Sequence, residues 1–188
     1  MSKRITVENV RYAFMHVFQP RAFEDGPAKY SVTLMIPKKD KATINKINAA
    51  VKAAIEDGIE ERFRGKKPAS LRLPLRDGDE ERAEDYPEFA GMYFMTANAN
   101  SKPILLDRAK EEILDSTELY SGCWGDASIT FFAYDSHGNK GIGVGLNALR
   151  KRRDDESFSG TMTAESARNE FDDLDDDDDD LDDLLGDF

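Results

Sequence analysis

The stretch CWGDASITFFAYDSHGNKGIGVGLNAL, residues 123–149, predicts a β-hairpin and sets the fold class. Residues 127–134 alternate between two faces, as a half-buried strand does. The turn SHGNKG, residues 136–141, reverses the chain, and GIGVGLNAL returns as the partner strand. The expected core face carries Ala127, Ile129, Phe131 and Ala133, and the other carries Ser128, Thr130, Phe132 and Tyr134. Aromatic side chains therefore lie on both faces, and those on the second face need an explanation other than the core.

The segments before the hairpin predict further strands. KRITVENVRYAF (residues 3–14) alternates with a break near its middle, and KYSVTLMIP (29–37) alternates again. The intervening MHVFQPRAFEDGPAK (15–29) is expected to form a loop because it contains Pro and Gly. MYFMTANA (92–99) and KPILLD (102–107) predict two more strands. Short strands in this number are typical of a small barrel.

One segment has the period of a helix instead. Apolar residues recur every three or four positions from Ile44 to Phe63, and Asp40 is placed to cap the start. The pattern predicts a single amphipathic helix of about five or six turns that covers an end or side of the sheet. The predicted fold is thus mainly β with one long helix, in the form of a five-stranded barrel.

The charge of the chain is divided between two regions. Residues 154–188 contain 16 acidic residues and one arginine, a net of −15, whereas residues 1–153 carry a net of +3. Because adjacent aspartates repel and little apolar surface is present, residues 154–188 are expected to form a disordered acidic tail. The folded domain is then residues 1–153. The tail imitates a polyanion, and its apolar residues are expected to bind a partner: Leu181, Leu184, Leu185 and the terminal Phe188.

Composition argues against several classes of protein. No apolar run approaches the length of a membrane span, and Glu8 interrupts the segment where a signal peptide would be apolar, so we expect a cytoplasmic protein. The single Cys123 excludes an internal disulfide, and His16 and His137 are far apart, so neither metal nor cofactor is expected. The glycines of KGIGVG are spaced two apart with no helix following, which fits close approach of barrel strands better than a dinucleotide loop.

A binding surface for single-stranded nucleic acid fits the remaining features. Such binding needs cations that follow phosphates and flat side chains that stack on bases. Residues 62–76 are rich in cations and belong to a long excursion, 64–90, that is expected to be exposed. The predicted contacts are Tyr12, Arg62, Arg64, Lys66, Lys67, Arg72, Arg76, Tyr93, Lys102, Trp124, Phe132, Tyr134 and Lys140.

These residues resemble the phage single-stranded DNA-binding proteins. The resemblance rests on LYSGCWGDASITFFAYDSHGNKGIGVGLNALRK (119–151), with NVRYAFMHVFQP (9–20) and KYSVTLMIPK (29–38), and it spans most of residues 4–153. It implies an OB-fold barrel that coats single-stranded DNA in phage replication and recombination. It also implies an acidic tail that contacts polymerase or helicase, frequent homodimers, and tolerance of duplex DNA in some members. The 64–90 excursion departs from a minimal OB barrel.

Three other classes of function stay open at this point. An acidic DNA mimic would inhibit a host nucleic-acid enzyme, but its acids would cover the folded surface and not only a tail. A metal-dependent nuclease would need a carboxylate cluster, for which Asp107, Glu111, Glu112 and Asp115 are the candidates, although interleaved cations favour an ordinary charged turn. No catalytic motif is present, so the chain is expected not to be an enzyme. A structural virion protein is also compatible with the composition.

Overall fold

A computed structural model describes residues 3–22, 26–160 and 164–174 of the chain. The strands of this part are β1 (Arg4–Arg21), β2 (Lys29–Pro37), β3 (Arg76–Asp77), β4 (Met92–Ala99), β5 (Ile104–Leu106), β6 (Trp124–Ser136) and β7 (Asn139–Arg153). The helices are α1 (Lys41–Glu61), the single turn α2 (Gly78–Glu81), a 3-10 turn (Pro87–Phe89) and α3 (Ala164–Glu170). None of the described helices is both long and apolar enough to span a bilayer.

Five of these strands close into a barrel. The antiparallel neighbours run in the order β4-β2-β1-β6-β7, and a parallel pairing of Asn98 with Gly145 joins β4 back to β7. The fold is therefore mainly β with a closed five-stranded, OB-like barrel, as the sequence predicts. The short strand β5 is not one of these five; it pairs in parallel with residues 148–150 of β7, beyond the contact of β4 at Gly145, and Leu106 also bridges Glu112.

The first strand is longer than predicted, and two of the three register shifts along it are bulges that contain a residue with positive φ. Residues 15–21 continue β1 instead of forming the expected loop. The register with β6 slips between Val7 and Val10, and the register with β2 slips between Ala13 and His16. Each bulge contains a residue with positive φ, Asn9 at 53° and Phe14 at 47°. An extra residue in one strand changes which side chains face inward beyond it.

Helix α1 closes one end of the barrel, and its predicted cap is present. The Thr43 amide donates to Asp40 Oδ1 at 3.2 Å, so the carboxylate satisfies one of the free N–H groups of the first turn. The helix packs mainly on β6 and β1. Its buried face meets the barrel core, in which Phe131, Ile129 and Val10 are fully buried.

The excursion between α1 and β4 folds back onto the outside of the barrel. Phe89 is fully buried there in a second cluster with Ala13, Met35, Met92 and Phe94. Lys38 Nζ lies 2.7 Å from carboxylate oxygens of both Asp77 and Asp79. This ion-pair clamp joins the end of β2 to β3 and α2. The excursion is therefore held to the barrel both by the buried Phe89 and by the ion pairs of Lys38.

Residues 161–163 and 175–188 of the predicted acidic tail lie outside the described residues. The strap 154–160 follows β7, with the Phe158 amide donating to the Ser121 carbonyl at 2.9 Å, and the helix 164–170 comes after it. The proposed partner residues Leu181, Leu184, Leu185 and Phe188 all fall beyond residue 174.

Candidate nucleic-acid interface

An open groove of about 800 Å³ crosses the outer surface of the barrel where β4 and β7 meet. The outward residues Thr96 and Asn98 of β4 form its floor on one side, and the glycines of β7 form it on the other. The excursion and the hairpin supply its walls. Cations and aromatic rings that line it are Lys29, Arg72, Arg76, Phe132 and Tyr134.

Two aromatic rings are held over glycines in this groove. Phe132 pairs with Gly143 across the hairpin, and Tyr134 pairs with Gly141. A Cβ atom added at Gly143 would lie 2.5 Å from the Phe132 ring, and one at Gly141 would lie 2.6 Å from the Tyr134 hydroxyl. The missing side chains therefore leave room for the rings to lie on the strand. Phe132 remains 47% exposed, so the ring is available to a ligand.

The cations of the groove differ in what already engages them. Arg76 is exposed, but its guanidinium makes a bidentate contact with Glu81, with Nη2 2.7 Å from Oε1. Hydrogen bonds to Glu81 raise the pKa of Arg76 despite the opposing effect of burial. Arg72 is exposed, and its backbone joins β7 through the Lys140 carbonyl at 3.0 Å and the Ile142 amide at 2.9 Å. The backbone of Arg72 is thus fixed beside the aromatic rings while its side chain faces solvent.

The remaining predicted cations lie at the margins of the groove or away from it. Lys102 follows the groove residue Ser101, and its Nζ lies 5.5 Å from the centre of the Phe18 ring. Lys140 lies in β7, paired with Asp135 across the hairpin, and its Nζ is 3.9 Å from the Asp135 carboxylate. The other four cations follow the end of α1. This end of the helix packs at Gly58 against Ala133, and Ala133 lies on the face of β6 opposite to Phe132. They are exposed but do not line the groove: Arg62, Arg64, Lys66 and Lys67.

Two predicted tyrosines are excluded from the groove. Tyr12 is fully buried, and its hydroxyl donates to the Asp126 carbonyl at 2.6 Å, so the prediction that it contacts DNA is wrong. The bulge at Asn9 turns it into the barrel. Tyr93 is half-buried on the opposite face of β4 from Thr96, with Lys38 Nζ 5.1 Å from the centre of its ring. Neither ring is available in the groove.

Trp124 is half-buried, and other side chains already contact its ring. Its Nε1 donates to Asp155 Oδ2 at 2.8 Å, and the Arg153 guanidinium lies 4.4 Å from the ring centroid. Arg11 lies between this ring and Phe158, 5.6 Å and 4.3 Å from the two centroids. Trp124 thus fixes the strap to the barrel and does not line the groove, and its predicted role as a stacking platform stays a prediction.

A buried carboxylate organises the basic end of β7. Asp126 is almost inaccessible and accepts from the Asn9 amide at 3.0 Å and from Arg152 Nε at 2.6 Å, while Arg150 also donates to it. Burial opposes ionisation, yet these donors hold the pKa of Asp126 below its ordinary value. The arginines here are thus structural partners of an anion inside the fold.

The acidic cluster considered for a nuclease serves local turns. Asp107 Oδ1 accepts from the amides of Ala109 and Glu111, and Asp115 Oδ1 accepts from the Thr117 amide and hydroxyl. Over residues 3–22, 26–160 and 164–174, no three acidic, His or Cys residues are grouped as metal ligands. The geometry gives this cluster a capping role.

Residues that the sequence reasoning missed extend the exposed surface beyond the groove. Phe14 and Tyr86 are 39% and 37% exposed with ring centroids 5.3 Å apart, although 72 residues separate them in the chain. Thr96 lies between this pair and the groove, since it lines cavities on both sides. The sequence signal that could have identified Thr96 is the alternation of β4. It places Thr96 and Asn98 together on the face opposite Met95 and Ala97.

The fold and the groove define a class: an OB-type barrel with an aromatic and basic ligand groove on its outer face. The family described as the Enterobacter phage Enc34 ssDNA-binding protein matches residues 3–182, and the chain belongs to this family. The resemblance noted from the sequence is thereby confirmed. The family is one of binding proteins and not of enzymes, as the sequence predicts.

Relatives agree with this placement. The Putative protein p50 of Acyrthosiphon pisum secondary endosymbiont phage 1 is 32% identical over 178 residues, covering 91% of this chain and 94% of that protein. The ssDNA-binding protein of bacteriophage Enc34, solved in complex with ssDNA, has a TM-score of 0.75 at 30% identity over 83% of this chain and 89% of its own. Gp2.5 of bacteriophage T7, a single-stranded DNA-binding protein, has a TM-score of 0.58 at 14% identity over 86% and 97%, which shows the common fold alone.

Proposed function

We propose that this chain binds single-stranded DNA without sequence preference in the groove between β4 and β7. Bases stack on Phe132 and Tyr134, and phosphates face Lys29, Arg72 and Arg76. The observation that carries the proposal is the half-exposed Phe132 ring, held over Gly143 beside a groove with basic walls. A flat ring accepts any unpaired base, whereas bases in a duplex are already stacked on one another.

The composition of the groove favours general binding over sequence readout. Stacking is worth about 1–3 kcal/mol per base and hardly depends on which base is bound. Cationic walls add affinity that decreases with salt. The solved complex of the Enc34 relative with ssDNA supports the choice of ligand.

The proposed role is to coat single-stranded DNA during phage replication and recombination in the host cytoplasm. A domain with a net charge of only +3 depends on local clustering of cations, since its overall field is weak. Homodimers and some affinity for duplex DNA belong to this proposal as well, on the strength of the family resemblance.

The acidic tail is proposed to regulate this binding. Residues 154–188 carry −15 and compete with DNA for the basic groove, so a long strand releases them. The released end presents Leu181, Leu184, Leu185 and Phe188 to a replication protein such as a polymerase or helicase. In this proposal the aspartates imitate phosphates and the apolar end anchors the partner.

Fluorescence anisotropy with a labelled oligo-dT tests the groove. We expect Phe132→Ala to weaken binding by about tenfold, within the range for loss of one stacked base. Arg72→Gln should lower affinity and reduce the slope of log K against log salt by about one. The matched control is Arg64→Gln, an exposed cation of the same excursion that does not line the groove.

The alternatives give different results in the same assay. Wild-type affinity in a folded double variant Phe132→Ala/Arg72→Gln would place the interface elsewhere. Absence of binding by the unmodified chain would overturn the single-strand proposal and favour the acidic DNA mimic or the virion protein. Cleavage of the labelled strand when a divalent metal ion is added would favour the metal-dependent nuclease.

A further inference from the structure

A second aromatic site lies beside the groove, on the other side of Thr96. Phe14 from β1 and Tyr86 from the excursion meet edge to face, with an interplanar angle of 87°. Both rings rest on Phe89, with centroid distances of 6.1 Å and 6.2 Å, and Phe89 itself is fully buried. The pair is thus partly exposed to solvent and yet fixed from below by the second apolar cluster.

The two rings separate two cavities of different character. On one side is a cavity of about 300 Å³ lined by His16, Arg21, Ser31, Thr33, Arg82 and Thr96. On the other side is a smaller cavity of about 180 Å³ lined by Ala13, Glu88, Ser121, Phe158 and Ser159. The first combines rings, hydroxyl groups and cations, which are the groups that hold a nucleotide by its base and its phosphate.

The backbone at Phe14 makes the exposure of this ring unusual. A φ of 47° is rare for a bulky residue and is energetically unfavourable. The bulge turns the Phe14 side chain outward, although Ala13 before it and Val17 after it in the strand are both buried. Such conformations are concentrated at ligand sites, because they are kept only where the rest of the fold enforces them.

The charge and position of the larger cavity fit a strand that leaves the groove. Thr96 lines both the groove and this cavity, so the two surfaces are continuous. The Arg82 guanidinium lies 5.9 Å from the Phe14 ring centre and 5.4 Å from that of Phe94. Burial lowers the pKa of His16, and the nearby charge of Arg21 lowers it further. Near neutral pH, the positive charge of this cavity therefore comes from its arginines.

We propose that the Phe14–Tyr86 pair forms a second nucleotide subsite, in which a base of the strand stacks on the rings and its phosphate faces Arg82 and Arg21. This inference rests on the proposed binding of single-stranded DNA in the groove. It extends the path of the strand from the β6–β7 hairpin across β4 and β2 to β1. Short strands then fill the groove alone, and longer strands reach both sites.

Photocrosslinking of the full chain to oligo-dT that contains 4-thiothymidine tests the two sites separately. We expect peptides with crosslinks at Phe132 or Tyr134 and also at Phe14 or Tyr86. Crosslinks confined to Phe132 and Tyr134 would overturn the second subsite and leave the groove intact. Crosslinks confined to Phe14 and Tyr86 would overturn both the groove and the continuous path, since the strand would then bind at these rings alone. Absence of any specific crosslink together with absence of binding would overturn both.

A matched pair of variants separates stacking from folding. Tyr86→Leu should weaken binding of an oligo-dT of about twelve nucleotides by about tenfold and leave one of about four nucleotides unchanged. Tyr86→Phe keeps the ring and should bind both lengths as the wild type does. Equal losses for both lengths in Tyr86→Leu, or equal affinities of Tyr86→Leu and Tyr86→Phe for the long strand, would overturn the length-dependent subsite.

Discussion

At the scale of single residues, the glycines of β7 decide whether the groove has a stacking surface. Gly143 lies under the Phe132 ring, whereas a Cβ at Gly145 would only reach ordinary contact, 3.5 Å from the Thr130 carbonyl and 3.9 Å from the ring. The two positions belong to the same strand face and differ only in what lies above them.

This difference gives a prediction with an internal control. Gly143→Ala should push the Phe132 ring away from the strand and weaken binding of oligo-dT by a few fold, since the ring is the flexible partner. Gly145→Ala adds the same methyl group to the groove floor without displacing the ring, so it should lose less affinity than Gly143→Ala. Anisotropy titrations of the two variants, with circular dichroism to check folding, provide the comparison. Equal affinities would show that the position of the ring does not matter to binding.

Single residues also show where sequence reasoning succeeds. Alternation in residues 127–134 correctly assigned Phe131 to the core and Phe132 to the outer face, because β6 is regular there. The same reasoning failed for Tyr12, because the bulge at Asn9 shifts the alternation of β1. A bulge depends on the partner strand as well as on the local sequence, and Asn9 at a suspected break was the only sign of it.

At the scale of elements, the Lys38 clamp determines how the excursion is held. Hydrogen bonds from Lys38 lower the pKa of Asp77 and Asp79, and bonds to both carboxylates raise the pKa of Lys38. Lowered carboxyl pKa values stabilise the fold above about pH 4, and this stabilisation is lost as the pH falls through the folded-state values. The raised pKa of the lysine keeps its contribution in place below about pH 10.

The clamp therefore predicts a pH-dependent effect of one substitution. Lys38→Met should lower the melting temperature by a few degrees at pH 7, and the difference from wild type should shrink as the pH falls below about 4 and through the lowered folded-state pKa values of Asp77 and Asp79. Lys39→Met is the control, since Lys39 is exposed and next in sequence. Thermal unfolding followed by circular dichroism from pH 3 to pH 7 gives the measurement. A constant difference across this range would contradict the assignment.

Elements with a strong local signal were predictable, and those defined by distant contacts were not. Helix α1 and its Asp40 cap follow from a local period and a local hydrogen bond. The extension of β1 to Arg21 depends on pairing with β2, which overrides the proline at position 20. The excursion was expected to be an exposed loop, yet it contributes the buried Phe89 to a second cluster whose members are separated in sequence.

At the scale of the whole molecule, the separation of charge is the main feature. The domain of residues 1–153 carries +3 and residues 154–188 carry −15, so intramolecular competition for the groove follows from the proposed function. A chain that ends at residue 170 should bind oligo-dT more tightly than the full chain at low salt, and the two should converge as salt increases.

A second variant distinguishes the effect of the tail's charge on DNA binding from the effect of its length. The full-length chain with aspartates 175–180 changed to asparagine should bind almost as tightly as the shortened one at low salt. Anisotropy titrations at several salt concentrations compare the three proteins. If the asparagine variant binds like the wild type while the shortened chain binds more tightly, the tail acts by its bulk and not by its charge.

The barrel class was predictable, but its closure was not. The period and number of strands indicated a small barrel, and the residues of the hairpin carried the family resemblance. The parallel contact of Asn98 with Gly145 that joins β4 to β7 has no local signature, since the two residues are 47 positions apart. This contact brings β4 beside the glycines of β7, and a separate bridge between Arg72 and Gly141 holds the arginine beside Phe132. The composition of the site was therefore foreseen better than its location.

The two bulges of β1 have a consequence for how this chain can change in evolution. One strand supplies Tyr12 to the barrel interior and, two residues later, Phe14 to the outer surface. Substitutions in this strand alter one side chain at a time, but deletion of a single residue at either bulge would exchange inward and outward positions for everything between it and the next turn. The length of this segment is therefore expected to be more constrained than its composition.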